Sequence, residues 1–308
     1  MVERMKANTS AAGSAVGLGL GSVVPAAAGT TERQLPPLPT LTRLSGGPGT
    51  WLGEIVARRD LLFMLVWREI KVKYKQSVMG FLWAILMPAL IVSAGVIVKY
   101  AYASLSAKPL ETSDVISVAV RSVPWAFFVS SIRFASTSLV SNANLVTKIY
   151  MPRVIFPIAA VLSQLIDLGI ATVVLVVFLV FTGAHFSVQL LWLPLLLAIM
   201  VLLVTGMAIF LSAAALFFRD VKYIVEVIMT FAIFFTPVFY DVSMLGKWAH
   251  ILLLNPMAPL LEGISAAVLG RPNPVAGWVL YSAAISLIGF AGALAFFKRT
   301  EPYFAESV

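Results

Sequence analysis

The chain has 308 residues, of which 60% are hydrophobic and 12% charged, and its formal net charge is +8. A soluble domain carries about 25% charged residues, so this composition excludes an ordinary soluble protein and predicts a polytopic membrane protein. The absence of cysteine excludes disulfides, thiol catalysis and cysteine metal sites.

Residues 1–50 form a leader rich in Gly, Ala, Ser and Pro. Such a sequence buries too little apolar surface to offset the entropy cost of ordering, so the leader is predicted to be disordered. A cleaved signal peptide is the alternative, because Arg4 and Lys6 precede a run of small residues. That run is a poor apolar core for a signal.

Residues 51–76 are predicted to form an amphipathic interface helix. Their apolar run, Leu61 to Trp67, has basic residues on both sides and is far shorter than the ~20 residues needed to cross a membrane. A basic helix that contains aromatic residues is typical of one lying in the membrane interface. Packing of the same helix on the protein itself is an alternative that is compatible with this one.

Six transmembrane helices are predicted within a transmembrane domain at 77–298, so the fold class is an all-α polytopic membrane protein. The second is the weakest, because it contains many serines and Arg133. A loop at 141–153 follows the second span, and a tail at 299–308 ends the chain. The predicted spans are 78–101, 122–140, 154–182, 190–218, 223–240 and 274–297.

The segment at 243–270, between the fifth and sixth spans, is too apolar for a water-exposed loop. Pro256, Pro259 and Gly263 interrupt it, so one continuous spanning helix is excluded. Two short helices that enter the membrane from the outer side and pack on protein would satisfy the backbone. The sequence therefore predicts a re-entrant external helix pair; a lid without a gating role is the alternative.

The basic residues indicate the orientation. With the N-terminus in the cytoplasm, most of the 22 Lys and Arg residues fall in cytoplasmic segments, as the positive-inside rule requires. Both termini are therefore predicted to be cytoplasmic. Anionic lipid headgroups or an acidic partner account for the basic leader and interface helix, so nucleic acid is not needed as a partner.

Apart from Lys99, which lies at the external end of the first span, three charged residues lie inside predicted spans, where such residues are costly and usually functional. They are Arg133, Asp167 and Glu226. Arg133 and Asp167 either pair between neighbouring helices or one of them faces a water-filled passage.

No catalytic constellation is visible in the sequence. Its two histidines, His185 and His250, both fall in predicted external segments. A phosphate-binding G-x-x-x-x-G-K-[ST] loop is absent from the sequence, and so is any cluster with metal-ligand spacing. The chain is therefore predicted not to be an enzyme, and to bind no cofactor or metal itself.

Aromatic residues mark the first and fifth spans. Phe231, Phe235 and Phe239 recur at i, i+4 and i+8 and would share one face of a helix, while Trp83 and Tyr100 bracket the first span. Ordinary packing or an interfacial belt is the simpler explanation. Aromatic faces also suit sugar rings, so these residues are candidates to line a passage for a glycan.

Four segments together resemble the permease subunits of type-2 ABC exporters for polysaccharides, the class that exports O-antigen, teichoic acid and capsule. They are WREIKVKYKQSVMGFLWAILMP (67–88), NANLVTKIYMPRVIFPI (142–158), FFRDVKYIVEVIMTFAIFFTPVFY (217–240) and NPMAPLLEGI (255–264). The resemblance covers the chain from about residue 51 to its end.

The resemblance implies a homodimeric permease that binds a separate nucleotide-binding subunit, present in two copies, which holds ATP and Mg²⁺. The substrate would be a lipid-linked glycan on an undecaprenyl-type diphosphate, moved outward across the bacterial inner membrane. An ABC-2 permease for a drug or small lipid, and an ATP-independent lipid-glycan flippase, are the alternatives.

Four groups of candidate site residues follow from this resemblance and from the basic helix. The residues that would contact the ATPase are Asn142, Asn144, Lys148, Tyr150, Met151 and Arg153. Those that would attract the diphosphate are Arg58, Arg59, Arg68, Lys71 and Lys73. The pore-lining aromatics would be Trp83, Tyr100, Phe231, Phe235 and Phe239, and the external gate Asn255, Pro256, Pro259 and Glu262.

Overall fold

The computed structural model describes residues 53, 58–75, 82–106, 109, 111–148, 151–183, 187–273 and 275–304. The predicted leader at 1–50 lies outside these ranges. Everything below concerns the unit formed by residues 46–308. Throughout the described ranges, the secondary structure consists of helices joined by turns.

Eleven α-helices are described. They are α1 (Arg59–Lys75), α2 (Leu82–Ser106), α3 (Thr112–Ser136), α4 (Ser138–Ser141), α5 (Ala143–Lys148), α6 (Ile155–Phe181), α7 (Leu193–Phe217), α8 (Val221–Phe231), α9 (Ala249–Leu253), α10 (Met257–Val268) and α11 (Ala276–Thr300). Short 3₁₀ segments lie at Val188–Trp192, Ala232–Phe235, Val242–Trp248 and Glu301–Tyr303, and the third is kinked at Gly246.

Five of these helices are long and apolar enough to cross a membrane: α2, α3, α6, α7 and α11. Each has 25 residues or more, which at about 1.5 Å per residue exceeds the roughly 30 Å hydrocarbon core. They correspond to predicted spans one, two, three, four and six.

The second span differs from its prediction at its start. Helix α3 begins at Thr112, ten residues before the predicted boundary. The backbone N–H of Glu111 donates to the Asp114 carboxylate at 3.3 Å, an interaction typical of a helix N-terminus. Arg121 therefore lies inside the helix, where hydropathy alone predicted a loop. Its charge is tolerated there because acidic residues elsewhere in the chain pair with it.

The fifth predicted span, at 223–240, is not one continuous helix. Helix α8 ends at Phe231, a single 3₁₀ turn follows, and Thr236 is extended at φ −133° and ψ 135°. Pro237 explains the extended conformation of Thr236, because a steric clash disfavours the helical region for a residue before proline. The prediction that Phe231, Phe235 and Phe239 share one helical face is therefore wrong beyond Phe235.

Helix α3 is the centre of the bundle. Of its apolar window 78% is buried, against 22% for α2 and 17% for α6 and α11. Its buried side chains, among them Trp125 and Ile132, join those of α7 and α10 in the main apolar core. Helix α2 approaches closely at Gly95, where a Cβ would lie 2.7 Å from Phe239 Cδ1 and would also overlap Val118.

The two ends of the bundle are built differently. At one end, here called the α5 end, an apolar cluster joins Leu65 of α1, Met151, Phe297 and Phe304. At the other, the α10 end, all twelve residues of α10 are buried. Pro259 is tolerated there because it lies in the first turn of α10, where its missing N–H has no partner to lose.

Candidate functional site

The segment between α3 and α6 is a short connector fixed to its neighbours at both ends. Helix α5 contains Asn144, which is exposed, and ends at Lys148. Before it, the Arg68 guanidinium of α1 donates to Asn142 Oδ1 at 2.6 Å. After it, Arg153 donates to the backbone carbonyl of Glu301 at 2.6 Å. The connector therefore links α1 to the end of the last span.

Two residues that were predicted to contact an ATPase make contacts within the chain. Met151 is buried in the apolar cluster of the α5 end. Arg153 lies over the ring of Phe304 at 5.8 Å, and its backbone N–H donates to the Glu301 carboxylate. Both therefore hold the connector in place. Tyr150 lies outside the described residues, as does the side chain of Lys148.

The basic residues of α1 fall into two groups. Arg59 and Lys71 are exposed, and Lys71 lies over the Trp67 ring at 5.4 Å. Arg68 and Lys73 face the bundle and are partly buried; Arg68 also pairs with Glu69 at 2.7 Å. Arg58, just before the helix, is half-buried. Only part of the predicted basic surface is thus directed outward.

A cavity of about 420 Å³ lies between α2, α3, α6 and α8; we call it the central cavity. Its walls are largely apolar, with Trp83, Met87 and Phe134 among them. Three charged side chains also line it: Lys73, Arg133 and Asp167. A chamber with apolar walls and a few polar groups is typical of a ligand site.

Arg133 and Asp167 line the same cavity but do not pair with each other, so that predicted pair is wrong. Asp167 accepts hydrogen bonds from Lys73 and from the Tyr74 hydroxyl. Arg133 pairs with Glu226 of α8 at 2.9 Å. The predicted alternative, in which a charge inside a span faces an internal chamber, fits their positions better.

The environment of Tyr74 keeps it protonated. Burial first, then its hydrogen bond to Asp167 and the negative charge of that carboxylate, raises the pKa of the Tyr74 phenol. A protonated phenol can donate, whereas a phenolate beside a carboxylate would be repelled. Tyr74 therefore holds Asp167 by a stable donor over the physiological pH range.

The predicted pore aromatics do not form one surface. Trp83 lines the central cavity, while Tyr100, Phe231 and Phe235 are exposed on the outside of the chain. Phe239 packs against Gly95 and the main core. Within the described residues, only Trp83 of this set therefore lies in a chamber of the single chain.

A second charged cluster lies at the α10 end. Lys99 of α2 pairs with Asp114 at 3.0 Å and Asp241 at 2.6 Å. Arg121 of α3 pairs with Asp241 at 2.6 Å and Glu262 of α10 at 2.7 Å. The side chains of Lys99 and Arg121 are each only 3% exposed, so two buried cations link three helices and a turn in this cluster.

The two basic residues also control the ionisation of Asp241. Burial alone would raise its pKa, but Arg121 and Lys99, through their charges and hydrogen bonds, hold the pKa of Asp241 below its ordinary value. The carboxylate is therefore ionised at neutral pH and accepts from both helices.

The residues that were predicted as an external gate make contacts within the chain. Glu262 is buried, accepts from the backbone N–H of Val242 at 2.8 Å and pairs with Arg121. Asn255 donates to Thr236 Oγ1 at 2.9 Å and so ties α10 to the break after α8. Pro256 is the residue before α10. These contacts hold α10 against the bundle.

Sequence reasoning missed the partners of Arg121, Lys99 and Asp241: it placed Arg121 and Asp241 between spans and Lys99 at the external end of the first span. The available signal was the apolar run VISVAV before Arg121, which favours a helix that begins earlier. It also missed Lys73 as an internal residue, since the spacing of charges on α1 does not reveal which face packs on α6.

Comparisons with known proteins identify relatives among membrane transport proteins. A family model described as ABC-2 type transporter matches residues 60–269. An O-antigen export system permease protein, RfbA, from Myxococcus xanthus is 26% identical over 258 residues, which cover 83% of this chain and 98% of that relative. The RfbA permease of Klebsiella pneumoniae is 28% identical over 204 residues, 66% of this chain and 77% of that relative.

Proposed function

Because the chain belongs to the ABC-2 type transporter family, we propose that it is the permease subunit of an ATP-driven exporter for a lipid-linked polysaccharide. Its relatives from Myxococcus xanthus and Klebsiella pneumoniae carry the name of O-antigen export permeases, which supports a glycan as the substrate. The glycan would be attached to an undecaprenyl-type diphosphate lipid and would leave the cytoplasmic side of a bacterial inner membrane.

The observation that carries the proposal is the fixed connector between α3 and α6. A segment that must transmit force cannot yield when it is pushed. Arg68 holds it on one side through Asn142, and Glu301 holds it on the other through Arg153. Pressure on Asn144 and Lys148 from a separate ATPase would therefore move α1, α3 and α11 together.

The mechanism follows from this linkage. ATP binding closes two nucleotide-binding subunits, and each presses on the connector of one permease copy. The two copies then separate, a passage opens between them, and hydrolysis restores the resting state. All the work comes from the ATPase, which supplies ATP and Mg²⁺, because the sequence of this chain contains no phosphate-binding loop.

The proposed orientation places the α5 end in the cytoplasm, with both chain termini. The excess of Lys and Arg in the segments that gather there supports it. Exposed cations such as Arg59 and Lys71 would concentrate the diphosphate lipid at the membrane surface, at about 1 kcal/mol for each charge.

A homodimer is part of the proposal. Tyr100, Phe231 and Phe235 are exposed on a single copy, at 67%, 57% and 70%. In a dimer whose passage runs between the copies, such residues would line it and stack on sugar rings. A permease for a drug or small lipid, which has no glycan to accommodate, is the nearest alternative.

The test is reconstitution. The chain should co-purify with a P-loop ATPase, and the complex in proteoliposomes should export lipid-linked glycan only with ATP. Lys148→Glu should abolish glycan-stimulated ATPase activity while membrane insertion stays normal, and Lys247→Glu, a charge reversal on an exposed residue at the α10 end, should have no effect. Export without ATP would instead identify a flippase, and export of small lipids alone would favour the other ABC-2 class.

A further inference from the structure

The central cavity contains two cations, and both are held by carboxylates. Lys73 pairs with Asp167, and Arg133 pairs with Glu226. Two positive and two negative groups leave this part of the chamber electrically neutral. Neutral pairing lets cations remain inside a membrane protein at a tolerable cost in free energy.

Both cations retain unused hydrogen-bonding capacity. The Lys73 ammonium has three N–H groups, and its described acceptors are Gln164 and Asp167. The Nε–H of Arg133 is buried and finds no acceptor among the described residues. A buried donor without an acceptor is unfavourable and therefore rare, so a bound group that accepts hydrogen bonds would satisfy Arg133 and occupy the remaining N–H of Lys73.

The two carboxylates differ in how easily they can leave. Asp167 is 16% exposed and is held by Tyr74 as well as by Lys73. Glu226 is 59% exposed, so its carboxylate can rotate into water, and exposed ion pairs of this kind contribute little stability. Exchange of a carboxylate for another anion would therefore occur at Arg133.

The geometry points to a diphosphate-binding site in the central cavity: we propose that the lipid diphosphate of the substrate displaces Glu226 from Arg133 and also accepts from Lys73. The planar guanidinium matches two phosphate oxygens at once, which an ammonium cannot do. Trp83 and Met87 provide the apolar wall beside it. The inference rests on the proposed function and moves the headgroup from the exposed face of α1 to the interior.

A purely structural role makes the opposite prediction for one variant. If the Arg133–Glu226 pair only locks α3 to α8, Glu226→Gln weakens the lock and improves nothing. If Glu226 competes with the ligand for Arg133, the same variant removes the competitor. Glu226→Gln should then bind the anion more tightly than the unmodified chain does.

The experiment uses the full chain in nanodiscs of phosphatidylcholine, so that no anionic lipid competes. Binding of radiolabelled geranylgeranyl diphosphate is measured, with geranylgeraniol and inorganic diphosphate as competitors. Arg133→Gln should raise the dissociation constant about tenfold or more, since it removes a charge-assisted hydrogen bond. Glu226→Gln should lower it severalfold. The matched control is Lys222→Gln, an exposed cation one turn before Glu226, which should leave it unchanged.

Several results would overturn the site. An equal loss of affinity in Arg133→Gln and Lys222→Gln would show a general surface effect, and weaker binding by Glu226→Gln would show a lock. Competition by inorganic diphosphate as strong as that by the prenyl compound would exclude a lipid headgroup, whereas strong competition by geranylgeraniol would show that the prenyl chain alone is recognised. Arg133→Lys, which keeps the charge and should restore part of the affinity, separates a folding defect from loss of the ligand contact.

The same preparations separate this inference from the transport function. A complex that exports glycan while Arg133→Gln binds normally overturns the site and leaves the transport function standing. A chain that shows the expected pattern of variants but exports no glycan with its ATPase keeps the site and overturns the transport function.

Discussion

Removing Arg121 from the network at the α10 end should destabilise the fold strongly. Its guanidinium joins two carboxylates: Asp241 at 2.6 Å and Glu262 at 2.7 Å. Arg121→Met keeps the apolar stem and removes the charge. Glu262, whose side chain is 7% exposed, then remains in the interior with the backbone N–H of Val242 as its described donor.

The magnitude follows from that burial. Breaking a buried ion pair by removing one partner costs about 3–5 kcal/mol, because the remaining charge is desolvated without compensation. Asp241 loses less, since Lys99 still pairs with it. We therefore expect the free energy of unfolding of Arg121→Met to fall by about 3–5 kcal/mol. An exposed pair would give about 1 kcal/mol or less.

A double variant tests the cause. Glu262→Gln removes the second charge and keeps an oxygen to accept from Val242, so Arg121→Met with Glu262→Gln should recover about 2 kcal/mol or more of the loss. Unfolding is followed by denaturant titration of the purified chain in mixed micelles. Lys247→Met, at an exposed residue of the same end, should change stability by about 0.5 kcal/mol at most. A double variant as unstable as Arg121→Met alone would refute the reasoning.

Three further predictions use the same unfolding assay. Gly95→Ala should lower the free energy of unfolding by about 1–3 kcal/mol, since its new methyl group overlaps two packed side chains. The control Gly289→Ala, whose methyl group meets nothing within 4 Å, should be neutral or stabilising. Equal effects of the two variants would contradict the packing at Gly95. Asp241 has a lowered pKa, so its contribution to the free energy of unfolding is present above its ordinary pKa of 3.8 and is lost on acidification below it. Asp241→Asn should therefore be less stable at neutral pH and should lose less stability in acid. Parallel acid titrations of the two chains would contradict this. Tyr74 has a raised pKa, so its contribution to the free energy of unfolding is present below its ordinary value of 10.0 and is lost as pH rises further. Tyr74→Phe should cost about 0.5–1.5 kcal/mol at neutral pH, because the hydrogen bond to Asp167 is lost. If the variant lost as much stability in alkali as the unmodified chain does, this prediction would be wrong.

The length of the apolar runs was sufficient to predict five of the spans. It failed where an ion pair or a proline determined where a helix begins or ends. A hydropathy pattern misplaces the start of α3 because it counts Arg121 as a charge, while in the fold Arg121 belongs to a network that contains three acidic residues. The break in the fifth span has a local cause that is visible in the sequence, the dipeptide Thr236–Pro237. A proline near the end of an apolar run indicates a helix boundary more directly than the aromatic spacing across it indicates a helix.

The interior sites could not be predicted from the sequence, because they depend on which face of each helix packs. Lys71 and Lys73 are two residues apart on α1, yet one is exposed and the other contacts Asp167. Residues two apart on a helix point in different directions, so the sequence gives the charges but no contact partner. The same holds for Met151, which lies between Lys148 and Arg153 in the sequence but is buried in an apolar cluster in the fold.

The two charged clusters differ in burial and in the number of carboxylates that hold each cation. This difference distinguishes a cluster that stabilises the fold from one whose carboxylate a ligand can replace. At the α10 end, each basic residue is 3% exposed and bonded to two carboxylates, so any ligand would have to replace several short contacts at once. In the central cavity, Arg133 is 38% exposed and its partner Glu226 is 59% exposed, which leaves the cation accessible and its partner easily hydrated. A transporter needs a fixed end and a chamber whose contacts can be replaced in every cycle. Arg121 fits the first requirement and Arg133 the second, which is why substitutions at Arg121 should change stability and substitutions at Arg133 should change affinity.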